Sequence, residues 1–207
     1  VLKNFEKSEY TLKENLHLSA IFFLFGVSIM SLAPRTPDLK ANLNINNGTF
    51  GTLLSSASIG SIIMLLIGGQ IVHRIGAKKA LRIGSTIVAT SFITLVHTQS
   101  PIVFLFVNIA AGAGISLYHI SSTGHTLHRQ DEVGRIIIPK LHGAWGFGAM
   151  STAAIAFAIS THITVAWHIT VLMIAVFTLT QFVITKLTPT FPVSTDSDDA
   201  YQLTSIK

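Results

Sequence analysis

Six apolar segments, residues 16–33, 50–72, 83–98, 102–123, 141–159 and 163–185, contain no Asp, Glu, Lys or Arg. Most reach the ~20 residues that a helix needs to cross a ~30 Å hydrocarbon core. The third is shorter, and counted through His97 and Thr98 it still spans with little tilt, since mismatch costs only fractions of a kcal/mol per Å. Inside such a core every backbone N–H and C=O must be paired within its own segment, so the runs are helices. They lack the apolar/polar alternation of a lipid-facing barrel strand. The chain reads as an all-α membrane protein with six transmembrane helices.

The basic residues fall on alternate loops. Lys3, Lys7 and Lys13 precede the first span; Arg74, Lys78, Lys79 and Arg82 follow the second; Arg129, Arg135 and Lys140 follow the fourth; Lys186 and Lys207 follow the sixth. Only Arg35 and Lys40 lie on the other side. By the positive-inside rule this twelve-to-two partition puts both termini in the cytoplasm. The same distribution accounts for the net charge of +5 without nucleic acid, because the charges are spread over short loops rather than gathered on one face. The absence of cysteine removes disulfides and thiolate metal sites. No cleavable signal peptide is evident, as Pro34 and Arg35 follow the first run, and the initial Val1 points to an incomplete N-terminus.

The expected organisation is a cytoplasmic tail over 1–15, a six-span bundle over 16–186, and a cytoplasmic tail or truncated linker over 187–207. Between spans 1 and 2, residues 31–53 read as a polar outer loop, with Pro34 and Pro37 as breakers and Asn42, Asn44, Asn46, Asn47 and Gly48 as turn formers. The loops after spans 3 and 5 are a few residues long, so their flanking helices are expected to be antiparallel neighbours. Small residues recur four apart on span 5 (Ala144, Gly148, Thr152, Ala156, Ser160) and span 2 (Thr52, Ser56, Gly60), the spacing that lets helix backbones approach in lipid.

The turn between spans 2 and 3 carries the strongest local signal, Gly69-Gln-Ile-Val-His-Arg-Ile-Gly-Ala-Lys-Lys-Ala-Leu81. A basic loop alone satisfies the charge rule, but it does not require this glycine spacing. The segment resembles the signature loop of the major facilitator superfamily of secondary transporters: Gly69, Arg74, Gly76, Lys78 and Lys79 match, and His73 stands where the family usually has Asp. The resemblance implies a cytoplasmic gate at Gly69, His73, Arg74, Gly76, Lys78 and Lys79, with a latch that strengthens when His73 is protonated.

Span 4, with Asn108, Gly112 and Gly114, is similar to the family's span-4 motif, with Asn108 in place of its Arg. Tyr118, His119 and the stretch from Gly134 to Ala149 resemble a subgroup related to fucose permeases and to uncharacterised bacterial inner-membrane transporters. Leu117 and Ser121 stand where that subgroup carries an acid and an amide. The resemblance covers nearly all of 16–186. It implies half of a facilitator fold, two inverted three-helix repeats, in the bacterial inner membrane, with a second six-helix half or a second copy of the chain as partner.

Asn108, Gly112, Ile115 and His119 share one face of span 4. The resemblance places spans 1 and 4 on a central cavity, so Phe25, Asn108, His119 and Trp145 are the candidate substrate pathway. Their structural alternatives are interhelical hydrogen bonding for His119 and packing for Phe25 and Trp145. His119, His125, His128 and His142 are close in sequence, yet no acidic ligand accompanies them in the spans, and His125 and His128 fall in the expected loop. Neither a metal nor another cofactor is expected.

Two function classes remain. The first is a secondary active transporter of a small, polar solute working by alternating access, with a proton as candidate coupling ion and the bilayer as its setting. The rival is a non-transporting six-span scaffold or sensor subunit. Neither is an enzyme. Six further spans encoded downstream of Lys207 would separate them.

Overall fold

The computed structural model describes residues 2–188, with side chains over 13–131 and 134–188. All its elements are helical: α1 (Leu2–Met30), a 3-10 turn (Ala33–Arg35), α2 (Thr36–Leu43), α3 (Asn47–Ser55), α4 (Ala57–Ile75), α5 (Ala77–His97), α6 (Pro101–Val133), α7 (Ile138–Ile159) and α8 (Val165–Lys186). The boundaries follow local chemistry. Asn46 accepts from Thr49 N at 2.9 Å to start α3, Ser100 with Pro101 starts α6, and Gly134, at φ 64°, ends it.

Five stretches are long and apolar enough to cross a membrane: Lys13–Leu43, Asn47–Ile75, Ala77–His97, Pro101–Asp131 and Val165–Lys186. The remaining expected span lies in α7. Its 22 residues give a length of ~33 Å, but His142, Trp145 and the glycines between 143 and 148 dilute its hydropathy.

The region expected to be a polar outer loop is largely helical. Leu39 and Leu43 on α2 are buried in a core with Phe50, Leu53, Val88, Phe92, Val96 and Phe104, so apolar spacing overrode the prolines and asparagines. At the other end, α6 continues through the expected loop after residue 123 to Val133, and His125 and His128 are helical. There Ser121, Ser122, His125, Thr126 and Arg129 form a buried polar stripe at helical spacing. The tail expected over 1–15 enters as the first turns of α1. Beyond Thr188 the expected linker lies outside the described residues.

Short connections do not by themselves decide which helices pair. α5 and α6, joined at residues 98–100, pack along their length, as expected. α7 and α8 are joined by a similarly short link and barely touch, because α1 packs against both. α4 likewise leaves α5 after a one-residue turn and packs on α6.

Two glycine pairs explain these choices. A Cβ on Gly26 (α1) would overlap Trp145 O, and one on Gly148 (α7) would overlap Phe23 O. A Cβ on Gly60 (α4) would overlap Ile109 O, and one on Gly112 (α6) Ala57 O. Between helices in lipid no hydrophobic effect operates, so backbone contact of this kind sets the pairing. The middle of each small-residue stripe thus serves packing: Ser56, Gly60, Gly148, Thr152 and Ala156 are buried, whereas Thr52 is exposed and Ala144 and Ser160 are partly so.

Candidate functional site

A cavity of about 400 Å³ opens between four helices, lined by Phe22, Phe25 and Ile29 of α1, Leu65 of α4, Ile115, Ser116 and His119 of α6, and His142 and Trp145 of α7. Three of the four pathway residues expected from sequence, Phe25, His119 and Trp145, meet here. The rings form a connected set. Phe25 stacks on Tyr118 at 4.4 Å and on His119 at 6.0 Å, Phe22 meets His142 at 5.4 Å, and the two imidazoles face edge-on at 6.3 Å. Tyr118 itself turns away from the cavity and donates its hydroxyl to Ile21 O at 3.0 Å.

Phe22 and His142 are cavity residues that the sequence reading did not select. Both lie three positions before a selected aromatic, Phe25 and Trp145, and therefore on the same helical face. That spacing was the available signal.

Asn108 sits elsewhere. The structure puts it at the junction where α3 gives way to α4, buried, with Nδ2 donating to Leu53 O at 2.8 Å, Leu54 O at 3.0 Å and Ser56 Oγ at 3.1 Å. A helix break at membrane depth frees carbonyls that water cannot reach, and a neighbouring side chain must satisfy them. Asn108 meets that demand and does not line the cavity.

At the basic end of the bundle, Gly76 alone separates α4 from α5. Its φ of 83° with ψ of 148° is a conformation open essentially only to glycine. It closes one helix through its N–H to Val72 O at 2.9 Å and opens the next by accepting from Ala80 N at 3.1 Å. Lys78 donates to Leu187 O at 2.6 Å, tying the turn to the end of α8. His73, Arg74 and Lys79 are exposed. Gly69 is not part of the reversal: it lies within α4 on an exposed face, with nothing within 4 Å of an added Cβ.

Beside this turn, Glu14 is 2% exposed and its Oε1 accepts from Thr188 N at 3.1 Å and Thr188 Oγ1 at 2.8 Å, with His125 Nε2 at 3.2 Å. The cluster ties the middle of α1 to α6 and to the residue that follows Leu187 at the close of α8. Neither Glu14 nor His125 stands out in the sequence, where the first falls in the expected tail and the second in an expected loop, outside the charge-free helices. Among the described residues no group of three His, Asp or Glu is placed to hold a metal.

Comparison with known proteins agrees with this architecture. An uncharacterised MFS-type transporter of Yersinia pestis is 21% identical over 129 residues, a stretch covering 62% of this chain and 34% of that relative, so the chain matches about a third of the relative's length. The family model of the Major Facilitator Superfamily matches residues 18–200. With that match over most of its length, on a bundle of apolar helices, this multi-pass membrane protein belongs to the Major Facilitator Superfamily.

Proposed function

We propose that the chain forms the six-helix half of a secondary transporter that moves a small solute by alternating access. The observation that carries this reading is the cavity itself: α1, α4, α6 and α7 contribute aromatic and imidazole groups from four separate helices to one opening. Phe25, His119 and Trp145 serve as pathway residues.

The internal pairing supports a fold of two three-helix repeats. The first repeat comprises α1 through α5, with α3 and α4 as one broken span, and the second comprises α6 to α8. The second span of each repeat packs on the first span of the other, α4 on α6 and α7 on α1, through equivalent glycine contacts. On this reading α7 is the sixth span. The exposed side of α4, with Leu65, Leu66, Gly69, His73 and Arg74, then faces a second six-helix half or a second copy, and the turn at Gly76 with Lys78 and Lys79 lies on the cytoplasmic side as part of the gate.

The test is uptake by proteoliposomes holding the complete gene product, screened over sugars, organic acids and drugs with and without a proton gradient. Saturable uptake blocked by methanethiosulfonate modification of His119→Cys is expected. Uptake of no solute, or uptake indifferent to bulk at position 119, overturns the reading. Asn47→Cys and Lys79→Cys, in a stretch without native cysteine, report orientation as labelling above that of the parent protein, the first by impermeant reagents from outside and the second only after permeabilisation.

A further inference from the structure

We infer that the cavity takes an organic anion with an apolar or aromatic body, held at its charged end by His119 and His142. The inference rests on the reading of this cavity as the solute pathway and narrows the solute from polar to amphipathic.

The groups that these four helices bring to the lining favour an anion over other classes. Among the described residues the lining has no carboxylate, so these helices offer an organic cation no counter-charge. Aromatic faces can replace one, but Phe25 already stacks on Tyr118 and His119 and Phe22 meets His142, which leaves a cation the Trp145 indole alone among the described lining rings. A sugar needs several convergent hydrogen-bonding groups. The lining offers the Ser116 hydroxyl, the Trp145 indole and the two imidazoles, among otherwise aliphatic and phenyl walls. What remains is a mostly apolar chamber with one polar corner.

That corner is able to hold negative charge. His119 is exposed to the cavity and its ring has no hydrogen-bond partner among the described residues. His142 uses Nδ1 on Ile138 O at 3.1 Å, which leaves Nε2 for a ligand. With ring centroids 6.3 Å apart and the rings nearly perpendicular, one small anionic group seated beside the pair is close to both rings. The helices packed around the pair add no other titratable group to the lining: α1 contributes Phe22, Phe25 and Ile29, α4 Leu65, α6 Ile115 and Ser116, and α7 Trp145. Two adjacent imidazolium ions repel each other, and an anion beside both offsets that penalty. Binding of the anion therefore draws protons onto the pair, and affinity rises as pH falls through the histidine range.

Trp145 lines the cavity and provides the readout. The only other tryptophan, Trp167, is 70% exposed on α8, so the Trp167→Phe chain in zwitterionic nanodiscs carries one reporter. The probes share one quenching body and differ in charge: 4-nitrobenzoate, 4-nitrobenzamide and (4-nitrobenzyl)trimethylammonium. At pH 6 the benzoate is expected to quench saturably and bind about ten-fold tighter than the amide, with the preference shrinking to about two-fold at pH 8. His119→Gln and His142→Gln should each lower benzoate affinity toward that of the amide while leaving amide binding within about two-fold, which also shows that the variants are folded. Equal or tighter binding of the amide or the cation at pH 6 overturns the anion assignment and leaves the cavity a binding site. Saturable quenching by none of the three overturns both the assignment and the pathway reading beneath it.

Discussion

Asn108 and His119 lie on the same face of α6, eleven positions apart, and the bundle uses them in opposite ways. At Asn108 that face is covered by the α3–α4 junction, and the amide is consumed by Leu53 O, Leu54 O and Ser56 Oγ. Three turns further on the face opens between α1, α4 and α7, and His119 points into space. Gly112 lies between them, in backbone contact with Ala57 of α4. One stripe therefore runs from a structural clamp, through a point of closest approach, to an open site. Helical periodicity identifies the stripe, and the neighbouring helix decides what each position does.

Substitutions along the stripe sharpen that contrast. The largest loss is expected at the contact point. Gly112→Val places a branched side chain against the α4 backbone, which has no flexible group to yield, and should destabilise the bundle by about 3 kcal/mol or more. Thermal unfolding in detergent, followed by size-exclusion chromatography, measures it, and a melting point matching the parent would mean that α4 does not approach this closely.

Next comes a strain without packing. Gly76→Val forces a β-branched residue to φ 83°, ψ 148°, at a cost of about 1–3 kcal/mol, although open space surrounds the position. Lys79→Ala, exposed in the same turn, should leave stability unchanged. Equal melting points for the two variants would remove the backbone argument and leave the loop as a topology signal.

The clamp should rank third. Asn108→Leu leaves the carbonyls of the helix break without their donor, worth about 0.6–2 kcal/mol in a membrane helix pair. Asn108→Asp should be worse, because a carboxylate brings acceptors to acceptors. If both variants lose uptake with full stability, Asn108 belongs to the pathway after all.

The smallest stability effect is expected at the open end. His119→Gln should change the melting point by no more than about 0.5 kcal/mol equivalent, since its ring loses contacts with Phe25 and His142 but no hydrogen bond to the described residues, while uptake by the complete transporter loses its dependence on the proton gradient. Gradient-driven uptake with unaltered pH dependence would exclude His119 from coupling.

Much of this was legible in particular residues. Charge-free runs announced the helices, Gly76 the tight reversal, and the small-residue stripes of spans 2 and 5 the close contacts. Other features were hidden for identifiable reasons. Glu14 and His125 fall outside every apolar run, and only the meeting of α1, α6 and α8 makes them a buried pair. The helix over Thr36–Leu43 was masked by prolines and asparagines whose turn preferences were outweighed by burial of Leu39 and Leu43. His142 drew attention as a metal ligand, and its role beside His119 needed α7 to settle against α1.

By itself, then, the sequence determined where the long apolar helices run and which of their faces carry polar groups, because hydropathy and the helical repeat are local properties of the chain. Tertiary structure decided which faces were closed by a neighbour and which were left open. Helix pairing in lipid depends on backbone approach at Gly26, Gly148, Gly60 and Gly112 between segments distant in sequence, so no local pattern could say that Asn108 would be clamped and His119 exposed.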